Sequence, residues 1–156
     1  MENEIIQIYT DGSSRGNPGP GGYGIVIQQK ATKRFKEFSE GYRMTTNNRM
    51  ELLAVIEALK KLKKTGLQIS IYTDSKYVSD AVEKKWVFGW EKKNFKKKKN
   101  ADLWIEFLKI YPKHNIKFFW IKGHNNHPQN ERCDYLAVAA SKKKTLLIDK
   151  SYEKLN

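Results

Sequence analysis

The first stretch of the chain alternates. Ile6, Ile8 and Thr10 are interleaved with Gln7, Tyr9 and Asp11, which is the period of a strand, and the Gly, Ser, Asn and Pro cluster from Gly12 to Gly22 predicts its end. A β-branched run from Tyr23 to Gln28 and a weaker, half-exposed alternation from Arg34 to Tyr42 predict two further strands, making an antiparallel meander of three. The period then changes. Between Asn47 and Lys64, Leu52, Val55, Ile56, Leu59 and Leu62 recur at steps of three and four, while Glu57, Lys60, Lys61 and Lys64 fill the other side, as in an amphipathic helix. Gly66 ends that helix and Leu67 to Thr73 read as a fourth strand; helix, glycine, strand is the connection a parallel pairing needs.

Four more elements complete the pattern. Ser75 to Lys84 predict a short helix with Ser75 as its N-cap. Leu103, Trp104, Phe107 and Leu108 mark an amphipathic helix from Ala101 to Tyr111, and Ile116 to Ile121 form a last strand. A final helix from Asn130 to Ser141 carries the apolar stripe Cys133, Leu136, Ala137 and Ala140. The expected product is a single α/β domain over residues 1–141, followed by a basic C-terminal tail, 142–156, to which no function is assigned. The segment Gly19 to Gly24 matches GxGxxG, but it opens a strand, whereas the dinucleotide-binding fingerprint must open a helix.

The strand ends carry the candidate chemistry. Ile8-Tyr9-Thr10-Asp11 recurs as Ile71-Tyr72-Thr73-Asp74, again at the end of a strand-like run. Each Asp alone is explained by the preference of Asp for turns. Together, on parallel neighbouring strands, they meet at one sheet edge, where like charges repel unless a cation separates them. Glu51 falls on the arc of Val55, Ala58 and Leu62, so its carboxylate points inward from the first turn of the helix and needs a partner. Asp134 borders the last helix's apolar stripe, where a helix-dipole role is the ordinary explanation.

Charge adds the partner. Thirty Lys plus Arg against seventeen Asp plus Glu give a formal net charge of +13, which favours polyanions. Eight of those lysines lie between Lys84 and Lys99, interleaved with Trp86, Phe88, Trp90 and Phe95. Positive charge mixed with flat aromatic surface is how single nucleic-acid strands are held. The one cysteine, Cys133, rules out an intramolecular disulfide framework and suits a reducing compartment. No apolar run approaches the roughly 20 residues of a membrane span. A soluble, cytoplasmic protein with no membrane partner is expected.

Tyr-Thr-Asp-Gly-Ser at 9–13, Thr-Thr-Asn-Asn-Arg-Met-Glu-Leu at 45–52, Tyr-Thr-Asp-Ser at 72–75 and the segment from Trp120 to Leu136 together resemble type 1 ribonuclease H, in its bacterial single-domain form. The resemblance implies a ribonuclease H-like fold: a mixed five-stranded sheet, three antiparallel strands then parallel ones, flanked by helices. It implies a monomeric endonuclease that hydrolyses the RNA strand of RNA–DNA hybrids to 5′-phosphate and 3′-hydroxyl ends. It also implies that Asp11, Glu51, Asp74 and Asp134 hold two Mg²⁺ ions, with Mn²⁺ as a possible substitute; an all-carboxylate set suits Mg²⁺. His124 would shuttle a proton or aid product release, with His127 ranked below it. Gly12, Ser13, Asn17 and Asn48 would read the RNA side, Thr46 would grip a DNA phosphate, and Trp86 and Trp90, with Lys92 and Lys93, would line the DNA-strand channel. Two features depart from the family pattern. The basic protrusion is short, with Phe95 where tryptophan is frequent, and Lys76 stands where some members carry glutamine. The competing readings are a non-catalytic hybrid-binding module, which has no reason to keep four repelling acids, and another nuclease of this fold, such as an integrase or junction resolvase.

Overall fold

The structure is a computed structural model that describes residues 4–123, 125 and 127–155. Five strands form one sheet in the order β3-β2-β1-β4-β5: β1 Ile5–Ser14, β2 Gly19–Gln29, β3 Phe35–Thr45, β4 Gln68–Thr73 and β5 Asn115–Trp120. β1, β2 and β3 pair antiparallel, whereas β4 runs parallel to β1 and β5 parallel to β4. This is the expected mixed sheet. The glycine-rich cluster does not stop β1 at Asp11, because Gly12, Ser13 and Ser14 continue to pair with Tyr23, Gly22 and Gly21. What ends near Asp11 is the parallel ladder, whose last pair is Tyr9 with Tyr72.

One face of the sheet is covered by α1, Asn47–Lys60, with Ile8, Ile25, Ile71 and Phe118 among the buried strand residues of the main core. α1 stops at Lys60, four residues before the expected end, with Lys61 as its C-cap. Around it pack α2, Lys76–Glu83, and α4, Ala101–Ile110, whose Trp104 and Phe107 are fully buried. On the other face lies α5, Pro128–Ser141. It sits very close. A Cβ on Gly22, Gly24 or Gly41 would collide with the backbone carbonyls of Ala137, Cys133 or Ala140, so the bare strand backbone of β2 and β3 sets the depth of α5 and with it the position of Asp134.

Residues 86 to 92 form a further helix, α3, Trp86–Lys92, which the aromatic and lysine pattern does not reveal. It corrects the expectation of an exposed aromatic stripe. Trp86 is 48 % exposed, but Phe88 and Trp90 are half-buried against the core and Phe95 is only 7 % exposed. The lysines remain outside while Val87 and Phe95 turn inward. After residue 141 the chain stays on the domain. Leu147 exchanges backbone hydrogen bonds with Gly41 and Arg43, and α6, Lys150–Leu155, follows a buried Asp149.

Candidate active site

Asp11, Glu51 and Asp74 come together at the end of the β1–β4 ladder. One carboxylate oxygen from each lies within 4.8 Å of the others. Asp11 is 4 % exposed and Glu51 6 %, while Asp74 is half-buried. Each is fixed by a different local device. Asp11 sits inside β1, opposite Gly24. Glu51 arrives from the first turns of α1, where Thr46 is the N-cap and its hydroxyl accepts from Arg49 N at 3.2 Å. Gly12 N–H donates to Glu51 Oε1 at 3.0 Å, and any Cβ at Gly12 would run into the backbone of Met50 and Glu51. Asp74 follows β4, its carbonyl accepting from Trp120 Nε1 at 2.9 Å, and Ser75 caps α2 through Val78 N as expected.

Asp134 enters from α5. It is not one of the three acids that share the 4.8 Å cluster, but it is close enough to help raise the Asp11 carboxyl. The electrostatics are unfavourable without a cation. Burial first, then the charges of Asp74 and Asp134, push Asp11 up to about 9. Burial, then Asp11 and Asp74, push Glu51 well above the usual carboxylate range, against the lowering effect of the Gly12 N–H. Acids that crowd in this way either hold protons or hold a metal ion. The donor set is oxygen only, which fits a hard divalent cation. No Lys or Arg is paired with Asp11, Glu51 or Asp74 among the described residues.

Asn17, Thr46 and Asn48 share a groove of about 670 Å³ with Pro18, Arg49, Lys98 to Asp102 and Tyr152. In it, Asn17 Oδ1 accepts from Asn47 N at 3.0 Å, bracing the start of α1. Gly12 is buried beside Glu51, and Ser13 has a buried hydroxyl without a hydrogen-bond partner among the described residues. Trp86, Trp90, Lys92 and Lys93 lie on and just after α3. Lys84 Nζ stands 5.3 Å from the Trp86 ring and Lys98 Nζ 4.8 Å from the Trp90 ring. Trp90 meets the buried Trp104 edge-on at 5.9 Å. His124 lies outside the described residues. His127 caps α5 by accepting from Asn130 N at 3.4 Å and packs 5.5 Å from the Tyr9 ring, an ordinary structural role.

Sequence reasoning missed two contributors. Gly123 lies so near Asp74 that a Cβ there would stand 2.6 Å from its Oδ2. Arg49 is a buried cation, 2 % exposed. Its signal was present: Arg49, Leu52 and Ile56 are spaced at i, i+3 and i+7, so the guanidinium had to point inward and find acids.

A sequence profile described as RNase H matches residues 3–142. A ribonuclease H from Desulforamulus reducens is 51 % identical over 149 residues, 92 % of each chain. One from Helicobacter acinonychis is 53 % identical over 138 residues, 88 % of this chain and 94 % of that one. Among solved structures, LC9-RNase H1, described as a type 1 RNase H with the type 2 active-site motif, superposes with a TM-score of 0.82 at 31 % identity over 99 % of this chain and 82 % of its own. LC11-RNase H1, solved in complex with an RNA/DNA hybrid, superposes with a TM-score of 0.66 at 30 % identity over 94 % of this chain and 99 % of its own.

Proposed function

The chain belongs to the type 1 ribonuclease H family, and from that premise we propose that it hydrolyses the RNA strand of RNA–DNA hybrids internally, leaving 5′-phosphate and 3′-hydroxyl ends. The observation that carries this is the carboxylate cluster: acids buried or half-buried within 4.8 Å of one another, with no Lys or Arg paired to them among the described residues, are poised for a divalent cation beside a phosphate. Asp11, Glu51, Asp74 and Asp134 would hold two Mg²⁺ ions, with Mn²⁺ as a possible substitute. A divalent metal site of this kind would supply a nucleophilic water and charge stabilisation for the departing oxygen.

The protein's own residues then have separable tasks. Asp11 would be the central ligand of that set, and the Gly12 N–H holds the Glu51 carboxylate in place. His124 carries a proton or helps product depart. Gly12, Ser13, Asn17 and Asn48 contact the RNA strand, where only the 2′-hydroxyl separates RNA from DNA on the sugar. Thr46 holds a DNA phosphate, and Trp86, Trp90, Lys92 and Lys93 line the path of the DNA strand. No helix is long and apolar enough to cross a membrane among the described residues, and we take the working form to be a cytoplasmic monomer.

The test is a denaturing gel of end-labelled RNA–DNA, RNA–RNA and DNA–DNA duplexes, with Mg²⁺ or with chelator. Cleavage confined to the RNA of the hybrid and to the Mg²⁺ lanes is expected. Tight hybrid binding without cleavage would instead favour a non-catalytic binding module.

A further inference from the structure

Arg49 uses every donor it has. Nε and Nη2 donate to Asp149 Oδ2 and Oδ1 at 2.8 and 3.1 Å, Nη2 and Nη1 to Asp102 Oδ2 and Oδ1 at 2.7 and 3.0 Å, and Nη1 to Asn100 Oδ1 at 3.2 Å. Five N–H groups are all that a guanidinium has, so Arg49, although it lines the groove, has none left for a phosphate. Its two carboxylate partners make this cluster net negative beneath a groove rimmed by Lys98 and Lys99. A buried acid behind a polyanion site needs another reason to be there.

The bonds give that reason. Arg49 belongs to α1, three residues after the Thr46 cap; Asn100 is the N-cap of α4 and Asp102 lies in its first turn; Asp149 belongs to the C-terminal segment. Asp149 is itself held, Oδ2 accepting from Thr45 Oγ1 at 2.9 Å and Oδ1 from Tyr152 N at 3.3 Å. Asn100 Nδ2 donates to the Tyr77 hydroxyl at 3.0 Å, which also accepts from Trp104 Nε1 at 2.9 Å. The Tyr152 ring lies 5.7 Å from the Arg49 guanidinium carbon and lines the same groove as Thr46, Asn48, Lys98 and Lys99. Arg43 anchors the far end of the segment through Glu153 at 2.8 Å.

We propose that the C-terminal segment completes the nucleic-acid groove. Tyr152 is a contact residue of its wall, and Asp149 is a positioning residue that, through Arg49, sets the spacing between Thr46 and Asn48 on one side and Lys98 to Asn100 on the other. The ligand of this wall is the sugar–phosphate backbone of one strand of the hybrid, so the inference rests on the hybrid-cleaving reading.

The experiment measures binding of a short fluorescein-labelled RNA–DNA hybrid in Ca²⁺, and KM and kcat in Mg²⁺, for the full chain and for Tyr152→Ala, Tyr152→Phe and Asp149→Asn. Circular dichroism checks the folding of each. Tyr152→Ala is expected to raise Kd and KM together by about three- to tenfold, the range for one partly exposed packing contact, with kcat moving less. Tyr152→Phe should restore both constants, because it keeps the ring. Asp149→Asn should act in the same direction through KM. If Asp149→Asn does not fold, the Tyr152 pair decides alone. Folded Tyr152→Ala with parental Kd and KM, or with a fall confined to kcat, would overturn the proposal. A parent that cleaves hybrid beside such a variant removes this inference only, whereas a parent that binds no hybrid removes the functional reading as well.

Discussion

Four acids crowd one end of the sheet, and eight lysines spread over residues 84 to 99; the two regions are held together in different ways. The acids come from segments far apart in sequence and are imposed on one another by the sheet, by α1 and by α5, and two are further fixed by hydrogen bonds, Gly12 N–H to Glu51 and the Trp120 indole to the Asp74 carbonyl. The lysines lie on short local turns, Asn94 N to Glu91 O, Lys96 N to Lys93 O and Lys98 N to Phe95 O. Asn94, Phe95 and Lys97 all have positive φ, and Val87 and Phe95 are the buried anchors. Repulsion in the first region cannot relax because the core forbids it. In the second it relaxes into solvent. Changes in the cleft should therefore cost chemistry while sparing or raising stability, and changes in the protrusion should cost affinity.

The largest expected effect is that of Asp11→Asn, which keeps the side-chain shape and removes the central ligand charge. Turnover in Mg²⁺ should fall about a thousandfold or more, equivalent to about 4 kcal/mol of lost transition-state stabilisation; near-parental turnover would break the assignment. Stability should move the other way. Asp11 titrates near 9 in the fold but near 4 when unfolded, so between these values the folded state holds the extra proton and stability declines as pH rises. Calorimetry without metal should show the parent's Tm dropping across that window, a flatter profile for Asp11→Asn, and recovery of the parent at the alkaline end on adding Mg²⁺. A metal-free parent that is most stable near pH 9 would contradict the electrostatic account.

Next in size is Gly123→Ala. The added methyl would stand 2.6 Å from Asp74 Oδ2, and because that oxygen ends a short, rotatable side chain, it is the carboxylate that yields. We expect the Mg²⁺ concentration for half-maximal activity to rise about tenfold, a ligand-geometry loss worth about 1.4 kcal/mol, with Tm nearly unchanged. Isothermal titration with Mg²⁺ checks it. An unchanged metal affinity would show that the approach of Gly123 is incidental.

Much of the cleft was legible in the sequence, because its acids sit where periodic patterns are strong. The repeated Ile-Tyr-Thr-Asp located Asp11 and Asp74 on neighbouring strands, and helical phasing turned Glu51 inward. Asp134 came only from family resemblance, since α5 owes its placement to glycines on β2 and β3 rather than to a strong apolar stripe of its own. The protrusion was less legible. Its lysine density hides a seven-residue helix and conceals that Phe95 is an anchor. The C-terminal segment carried no periodic signal, and its ion pairs with Arg43 and Arg49, with the backbone pairing of Leu147, show that it is built into the domain.

The smallest expected effects are in the protrusion, where charge and packing should separate. Removing one lysine from a phosphate it neutralises should flatten the slope of log affinity against log salt by about 0.7–0.9, so neutralising Lys92, Lys93, Lys96 and Lys97 together should weaken hybrid binding and reduce its salt dependence. All four are exposed, so folding should survive. Trp90→Ala removes no charge and should leave the slope where it is. However, Trp90 packs on the buried Trp104 and carries Lys98 over its ring, so its loss should also lower Tm, unlike that of a freely exposed stacking platform. Measured in Ca²⁺ over a salt series, a parental slope in the four-lysine variant would mean that these lysines are only a solvated face. The protrusion would then bind through its aromatic residues alone, and the contrast with the cleft would be one of packing rather than of charge.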